Sequence, residues 1–337
     1  MKQKARAAHD IVEVSQGRRA ALKWMGAGAA LAAVPWAMAQ SGSPVSLIVP
    51  LAPGGIADLT ARPFAGPFSK ALGQSVIVEN RPGAGGAVGM SYAARQKADG
   101  HTLLMALSSI MIIPEADKVT GRPISYQVSQ FTPIALISAD PTVLVVRADS
   151  PFKTIEDLVK YAKQNPGKLT FSSSGVYGTT HVAQAMLWQA AGVDVLHVPY
   201  SGGGPSMVAL VAGEVDITAQ APGTVAAHLK NGKVRILGTW GAERLKNFPD
   251  VPTFKERGFD VEFYIWSGLF APAGLPPQKF AQLRDAARAT VNDPAFVEAM
   301  KGMNTPIHYL EGAQLDKFLD QDQKRLARVV KAMGKLE

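Results

Sequence analysis

Apolar runs of strand length alternate with amphipathic helical patterns through most of this chain. Val45–Val49 is the first apolar run, and Leu59–Leu72 is the first helical pattern, which ends at Gly73. Such an alternation predicts an α/β fold in which open, mostly parallel sheets are flanked by helices. The 298 residues after Ala39 are enough for two domains of this kind, each with its own core.

The N-terminal 39 residues have the pattern of an export signal. Six basic residues precede an apolar stretch from Trp24 to Ala37, and the segment ends in the small-x-small pattern Ala37-Met38-Ala39. The stretch is too short to span a bilayer stably. We therefore predict cleavage before Gln40 and a periplasmic protein. Arg18-Arg19 resembles a twin-arginine signal, and an ordinary Sec signal is the alternative.

Charge and composition exclude several classes of site. The whole chain has 35 basic and 27 acidic residues, and the export signal contains six of the former and two of the latter. The remainder has no basic block or basic–aromatic stripe, so the charge gives no indication of nucleic-acid binding. There is no cysteine, and no two histidines have the i,i+4 spacing of helical metal ligands. We predict neither a metal nor a cofactor.

The segment VPLAPGGIAD at 49–58 joins the first predicted strand to the first helix. The first N–H groups of a helix have no carbonyl partner within it, and the helix dipole favours an anion at this end. The segment contains no Lys or Arg, so main-chain donors would bind such an anion. A chain reversal that merely needs glycine is the alternative.

A second strand, Gly/Ser loop and helix start follow one another at 171–181, with the sequence FSSSGVYGTTH. Ser172, Thr179 and Thr180 add hydroxyl groups to the main-chain donors. Two such loops in two halves of the chain suggest a cleft in which a small anion is bound from both sides. A loop in which Thr179 only caps its helix is the alternative.

Other candidate motifs give weaker indications of function. Tyr200 follows a strand and offers a ring and a hydroxyl group to a ligand, unless it packs on its own loop. The glycines of 83–89 invite a dinucleotide interpretation, but they do not directly follow a strand and no acidic ribose partner appears at the usual distance. His181 suggests a general base for Ser172 or Ser174, with local packing as the alternative. Because G-x-S-x-G, the P-loop motif and HExxH are absent, we predict no catalytic residue.

The ordered motifs of the chain resemble the Bug family, the extracytoplasmic solute receptors of tripartite tricarboxylate transporters. The resemblance covers nearly all of the sequence after Ala39. The motifs are Val49-Pro50…Pro53-Gly54-Gly55…Asp58, Val78–Gly86, Ser172…Gly175…Gly178…His181, His197–Gly203, Gly213–Asp216, Pro249–Thr253 and Phe270–Gly274.

This resemblance implies a two-domain periplasmic binding protein, similar to type II, with a ligand cleft between the domains. The chain is expected to cross between the domains near 139–144 and again near 263–270. The first domain would then contain 40–140 plus 265–337, and the second 141–264.

In the family, two βα loops hold a ligand carboxylate, partly through ordered water. Asp58 would order the first loop or contact a polar group of the ligand. The ligand-binding residues implied for this chain are Leu51, Gly54, Gly55, Ile56, Ala57, Asp58, Ser172, Gly175, Gly178, Thr179, Thr180, His181, Tyr200 and Gln220.

Three positions depart from the family pattern. Leu51 stands where Phe or Tyr is usual, Gln220 where an acidic residue is frequent, and Ser201 where a basic or larger polar residue is common. Without a carboxylate at 220, a ligand ammonium group is disfavoured. We expect a di- or tricarboxylate, or an aromatic acid.

The implied function is that of a monomeric, non-enzymatic receptor. It would close around its ligand and deliver it to an inner-membrane permease of a large and a small membrane subunit. A ligand-sensing receptor that docks on the ectodomain of a sensor kinase is the alternative. A hydrolase that uses a loop serine and His181 is a third hypothesis.

Overall fold

A computed structural model describes residues 43–335, so the predicted export signal lies outside the described residues. Within this range, eleven strands form two sheets that are covered by ten α-helices. No helix in the described part of the chain combines the length and apolarity needed to cross a bilayer.

The elements follow one another in a mixed order along the chain. The strands are β1 (Val45–Val49), β2 (Val76–Asn80), β3 (Thr102–Leu107), β4 (Phe131–Pro141), β5 (Val143–Arg147), β6 (Thr170–Ser173), β7 (Leu196–Pro199), β8 (Ile217–Gln220), β9 (Val234–Thr239), β10 (Tyr264–Pro272) and β11 (Ile307–Leu310). The helices are α1 (Ile56–Leu72), α2 (Ala87–Ala94), α3 (Ser109–Thr120), α4 (Ile155–Gln164), α5 (Thr179–Ala191), α6 (Gly203–Ala212), α7 (Pro222–Lys230), α8 (Pro277–Val291), α9 (Pro294–Gly302) and α10 (Gly312–Met333).

Each sheet defines one lobe. The six-stranded lobe has the strand order β11-β4-β10-β3-β1-β2 and carries α1 to α3 and α8 to α10. The five-stranded lobe has the order β7-β6-β8-β5-β9 and carries α4 to α7. The α/β class is confirmed, but the sheets are mixed where we expected them to be mostly parallel. In each sheet, the strands next to the crossings between lobes run antiparallel to their neighbours.

The chain passes between the two sheets on adjacent extended segments. Strand β4 continues through Asp140 and Pro141, and only Thr142 separates it from β5. Thr142 N–H donates to the Phe263 carbonyl at 3.2 Å, immediately before β10 begins. The outgoing and returning segments are therefore hydrogen-bonded to each other.

Burial explains which elements the sequence pattern reveals. Leu47 and Ile48 of β1 are both fully buried, as expected for a strand covered on both faces.

Local capping signals also vary between helices. Thr154 caps α4 by accepting from Asp157 N–H, and the Asp157 carboxylate accepts from Thr154 N–H. We did not predict α3, because most of its side chains are buried and it lacks an amphipathic period.

Candidate functional site

Asp58 holds the loop that precedes α1. Its Oδ2 accepts from Gly54 N–H at 3.0 Å and from Arg62 Nε at 2.9 Å, and its Oδ1 accepts from Asn80 Nδ2 at 3.0 Å. Burial alone raises the pKa of Asp58, but the hydrogen bonds from Arg62, Gly54 and Asn80 outweigh it and leave the pKa below its ordinary value. The Asp58 carboxylate therefore uses its hydrogen bonds to hold the loop in place.

Asn80 is a second support of this loop that the sequence alone did not single out. Its amide donates to the Leu51 carbonyl at 3.0 Å as well as to Asp58. The side chain of Leu51 is buried in the core of the six-stranded lobe. The motif that contains Asn80 was visible in the resemblance, but its role depends on β2 lying beside β1.

The loop between β6 and α5 is held by the first turn of its own helix. Thr180 Oγ1 accepts from Ser174 N–H at 2.8 Å, and His181 Nδ1 accepts from Tyr177 N–H at 2.9 Å. Gly178 is the N-cap of α5, so Thr179 is the first helical residue. These bonds leave the first main-chain N–H groups of α5 as the donors at this end.

The rings of His181, which is buried, and His197, which is half-buried, stack behind this loop. Their ring centroids are 3.7 Å apart and the rings are inclined by only 8°. Burial lowers the pKa of His181 to about 3, with a further contribution from His197, and burial lowers the pKa of His197 to about 4. Both rings are therefore neutral at neutral pH. His197 Nε2 lies 2.6 Å from the hydroxyl group of Ser173, which is fully buried.

A buried polar network supports the start of α6. Gln220 Nε2 donates to the Gly203 carbonyl, to Ser206 Oγ and to Thr218 Oγ1, each at 3.2 Å. Ser206 Oγ in turn donates to Ser172 Oγ at 2.8 Å. The predicted site residues Ser172 and Gln220 therefore make their polar contacts inside the five-stranded lobe.

The lobes meet on glycine backbone. A Cβ atom added to Gly55 would lie 3.1 Å from Gly203 N, and one added to Gly54 would lie 3.6 Å from Gly204 Cα. On the other side, a Cβ atom on Gly175 would lie 2.7 Å from Gly85 N. We call these contacts the glycine seam; its members are Gly54, Gly55, Gly85, Gly175, Gly203 and Gly204.

The seam shows which segments of the two lobes come into contact. The Gly54–Gly55 loop faces the start of α6, while the Gly175 loop faces Gly85. Gly85 belongs to the segment that we set aside as a failed dinucleotide motif, and a Cβ atom added to it would lie 2.8 Å from the Val176 carbonyl oxygen.

Hydrogen bonds across the lobes accompany the seam. Ala52 N–H donates to the Ser201 carbonyl at 3.1 Å. Tyr177 donates its hydroxyl proton to the Gly334 carbonyl at 3.1 Å, and Asn247 Nδ2 donates to Asn304 Oδ1 at 3.2 Å. The structure is consequently a closed arrangement of the two lobes.

Two cavities are lined by residues of both lobes. One of about 570 Å³ is bordered by Gly85, Gly175, Tyr200 and Arg122. The hydroxyl group of Tyr200 donates to Glu214 at 3.0 Å, within its own lobe. A second cavity of about 890 Å³ lies beside the crossing segments. Its lining includes Pro141, Pro222, Lys246, Tyr264 and Thr305.

Helix N-termini converge at the seam. Gly55 is the N-cap of α1, and Gly203 is the first residue of α6. Gly223, in the first turn of α7, lies so close to α1 that its Cβ would be 3.1 Å from Ile56 Cδ1. Three helix starts from two lobes therefore present N–H groups and positive dipole ends to one region. Such an arrangement favours a small anion.

The described residues contain no group of three or more His, Asp or Glu side chains placed to hold a metal ion. The predicted site residues fall into two sets. Asp58, Ser172, Thr180, His181 and Gln220 are buried and bonded within their own lobes. Main-chain groups of the two loops lie at or near the seam, namely those of Gly54, Gly55, Ile56, Ala57, Gly175, Gly178 and Thr179.

Known proteins with related sequences cover almost the whole chain. The family model described as "Tripartite tricarboxylate transporter family receptor" matches residues 60–335. A protein of Cupriavidus necator, named "UPF0065 protein in gbd 5'region", is 35% identical over 320 residues, which are 94% of this chain and 96% of that protein.

Solved structures show the same fold. The periplasmic binding protein BugD superposes with a TM-score of 0.81 at 31% identity, over 86% of this chain and 97% of BugD. MatC from Rhodopseudomonas palustris with bound malate gives 0.78 at 28% identity, over 85% and 98%. A further R. palustris protein, with adipate, gives 0.79 at 26% identity, over 86% and 97%. The chain therefore belongs to the tripartite tricarboxylate transporter receptor family, whose members include the Bug periplasmic binding proteins.

Proposed function

We propose that the protein is a periplasmic receptor that captures a small carboxylate between its two lobes. The observation that carries this proposal is the convergence of α1, α6 and α7 at the glycine seam. Main-chain N–H groups at these helix starts can donate hydrogen bonds to a carboxylate, so the site does not need a Lys or Arg side chain. The ligand-binding residues are those of the two predicted loops, with main-chain atoms as contacts and the buried side chains as supports.

A dicarboxylate is the ligand class that we favour. The structures of MatC and of the adipate-bound R. palustris protein each contain a four- or six-carbon dicarboxylate, malate or adipate. Position 220 is Gln rather than an acidic residue, so the protein offers no carboxylate there to pair with the ammonium group of an amino-acid ligand. A micromolar Kd requires about −8 kcal/mol, and each helix N-terminus contributes about 1 kcal/mol of it. The remaining free energy comes from hydrogen bonds and closure.

The proposed receptor is not an enzyme. His181 Nδ1 is occupied by Tyr177 N–H, which leaves no general base for Ser172 or Ser174. Ser173 does contact His197, but it is fully buried and also accepts from Gly175 N–H at 3.1 Å. Both features favour a supporting role for the histidines over the hydrolase hypothesis.

We propose two domains that correspond to the lobes. The first contains 40–140 plus 265–337, and the second contains 141–264. This division is supported by sheet membership, because the six-stranded sheet draws its strands from 45–141 and 264–310 and the five-stranded sheet from 143–239. Closure then rotates the lobes about the paired crossing segments.

The partner we propose is an inner-membrane permease with a large and a small membrane subunit, which receives the solute from a monomeric receptor. A sensor kinase ectodomain is the alternative partner for the same closed form. Deleting the gene that encodes this protein distinguishes the two partners. Loss of uptake of a labelled dicarboxylate supports the permease. Normal uptake with loss of dicarboxylate-induced transcription supports the sensor kinase.

The test of binding is isothermal titration of the purified protein after unfolding and refolding, which removes any solute retained from expression. The titrants are malate, succinate, adipate, citrate, benzoate and glutamate. Saturable binding of a carboxylate subset supports the proposal, and the same ligands should raise the melting temperature. A folded, ligand-free protein that binds none of them would refute it.

A further inference from the structure

Tyr177 lies in the loop between β6 and α5, in a backbone conformation that bulky side chains rarely adopt. Its φ is +56°, in the left-handed region that favours glycine. Residues in this region persist where the surrounding structure holds them, and they concentrate at binding sites and switch segments. The contacts of Tyr177 therefore show what holds this loop in shape.

The main chain of Tyr177 is held by its own lobe. Its N–H donates to Nδ1 of His181, in the first turn of α5, at 2.9 Å. The ring centroids of Tyr177 and His181 are 5.9 Å apart and the rings are inclined by 70°, which is an edge-to-face contact. The loop is thus joined to α5 from within the five-stranded lobe.

The side chain of Tyr177 is held by the other lobe. It is 1% exposed, and its hydroxyl group donates to the carbonyl of Gly334, the C-cap of α10, at 3.1 Å. The guanidinium carbon of Arg122, which follows α3, lies 5.7 Å from the centroid of the phenol ring, within the range of a cation–π contact. Both α3 and α10 belong to the six-stranded lobe, so the ring of Tyr177 is inserted from one lobe into the other.

The surface that receives the ring is fixed within the six-stranded lobe. Arg122 is paired with Asp117 at 3.2 Å, and Asp117 is buried and accepts from Ser125 N–H at 3.0 Å. Helices α3 and α10 pack against each other, and Gly334 N–H donates to the Val330 carbonyl at 3.2 Å. The phenol ring therefore enters a preformed site, and separating the lobes withdraws it from that site.

Tyr177 lies behind the ligand cleft rather than on its wall. Gly175 and Val176 line the cavity of about 570 Å³, whereas Tyr177 does not belong to its lining. A Cβ atom on Gly85 would lie 2.8 Å from the Val176 carbonyl oxygen and 3.2 Å from Gly178 N. The main chain on both sides of Tyr177 therefore reaches the glycine seam, while its side chain points into the other lobe.

We propose that Tyr177 is a positioning residue that couples closure of the lobes to the shape of the loop between β6 and α5. Insertion of its ring between Arg122 and Gly334 fixes the main chain from Gly175 to Gly178 when the lobes close. The donors at the start of α5 are then held in place around the enclosed solute. This inference rests on the proposed function, because it concerns how a bound carboxylate is retained.

The test measures association and dissociation rates by surface plasmon resonance on the immobilised, refolded protein. The solutes are malate, succinate, adipate and citrate, taken from those that titration shows to bind. Tyr177→Phe removes only the hydroxyl group, and we expect it to raise the dissociation rate about two- to tenfold. Tyr177→Gly removes the ring and adopts φ +56° without strain, and it should raise the dissociation rate at least tenfold.

Two further readouts identify an effect on closure. The association rate should change less than twofold in both variants, because the solute meets the open form before the ring is inserted. The increase in dissociation rate should agree within about twofold for all solutes that bind, because Tyr177 contacts none of them.

Tyr126→Phe is the matched control for Tyr177→Phe. Tyr126 is also a buried tyrosine whose hydroxyl group donates to a main-chain carbonyl, that of Ile110 at 3.0 Å, but both residues belong to the six-stranded lobe. This variant should melt at a lower temperature than wild type and release its solutes at the wild-type rate. Tyr177→Phe that behaves in the same way would give Tyr177 a structural role only and would overturn the inference.

Other results overturn the inference while the proposed function stands. One is a wild type that binds a carboxylate which Tyr177→Gly releases at the wild-type rate. Another is an increase in dissociation rate that differs more than tenfold between solutes, which would make Tyr177 a contact of the solute. Wild type that binds no carboxylate at all would instead refute the receptor proposal, and this inference with it.

Discussion

Asp58 accepts a hydrogen bond from the main-chain N–H of Gly54, four residues earlier, at 3.0 Å. The same carboxylate also binds Arg62 and Asn80, so a single side chain joins the loop, the first turns of α1 and the end of β2. The acidic residue at this helix start therefore shapes the loop that we propose to bind an anion. Its own negative charge is neutralised by Arg62.

Replacing Asp58 with Ala should cost about 3 kcal/mol of unfolding free energy, because a buried charged group and its partners lose their hydrogen bonds. Urea denaturation measures this loss. The control is Asp149→Ala, which removes an exposed ion pair with Arg147 and should cost less than about 1 kcal/mol. Equal losses in the two variants would contradict the role given to Asp58.

Replacing Gly55 with Val should weaken dicarboxylate binding at least tenfold and leave the fold intact. Gly55 has φ −86° and ψ 169°, which any residue adopts, but its side chain would collide with Gly203 only when the lobes close. Titration calorimetry gives the affinity, and small-angle scattering with saturating ligand should show a larger radius of gyration than for wild type.

Gly66→Ala is the matched control for Gly55→Val, because it changes a glycine of the same helix. A Cβ atom at Gly66 meets nothing within 4 Å, so binding should be unchanged and stability should rise by about 0.5–1 kcal/mol. Undiminished affinity in Gly55→Val would show that closure does not bring these loops together.

Acid should destabilise the protein through the stacked histidines. Their pKa values are about 3 and about 4 in the folded state, below the ordinary value of 6.5, so the unfolded chain binds more protons. Their stabilising contribution is complete above pH 6.5 and is lost as the pH falls toward 4. At pH 5 the free energy of unfolding is lower by about 2 kcal/mol, because His181 is protonated in the unfolded chain but stays neutral in the fold.

Thermal melting between pH 4.5 and 8 measures this dependence. His197→Asn should flatten the curve below pH 6.5, because one of the two histidines that stay neutral in the fold is then absent. A melting temperature that is constant from pH 8 to pH 5 would show that the histidines do not remain neutral in the fold.

Replacing Gln220 with Glu should lower the free energy of unfolding by about 2–4 kcal/mol and weaken carboxylate binding. The amide of Gln220 is the donor to the Gly203 carbonyl, and a carboxylate there would repel that oxygen and leave the start of α6 unsupported. Urea unfolding and titration calorimetry measure the two effects. The control is Gln282→Glu on the exposed side of α8, which should change neither quantity.

Much of the fold could be predicted from the sequence because strands and helices carry local signals. The first helical pattern was predicted to end at Gly73, and α1 does end at Leu72 with Gly73 as its C-cap. Strand direction could not be predicted, since β10 returns antiparallel beside β3 only after the chain has left the six-stranded lobe. The distance between β3 and β10 in sequence hides that pairing from any local pattern.

The candidate site also has features with local sequence signals and features that depend on the tertiary arrangement. The two loops were located from glycines before helical patterns, but which loop faces which depends on how the lobes sit together. Thus Gly85 was set aside with the dinucleotide motif, although a Cβ atom on Gly175 would lie only 2.7 Å from its main-chain nitrogen. Asp140 is a buried strand residue that pairs with Ile265, and a pairing between residues so far apart in sequence has no local signal. Whether the predicted side chains contact the ligand stays a prediction.

The glycine seam separates two properties that most binding sites combine. Contacts with the solute determine which molecule is preferred, whereas the seam sets how often the empty protein adopts its closed form. Since apparent affinity scales with the fraction of binding-competent protein, added methyl groups along the seam would adjust sensitivity while leaving selectivity unchanged. A graded series of biosensors, all reporting the same solute over different concentration ranges, could be built from this one backbone contact.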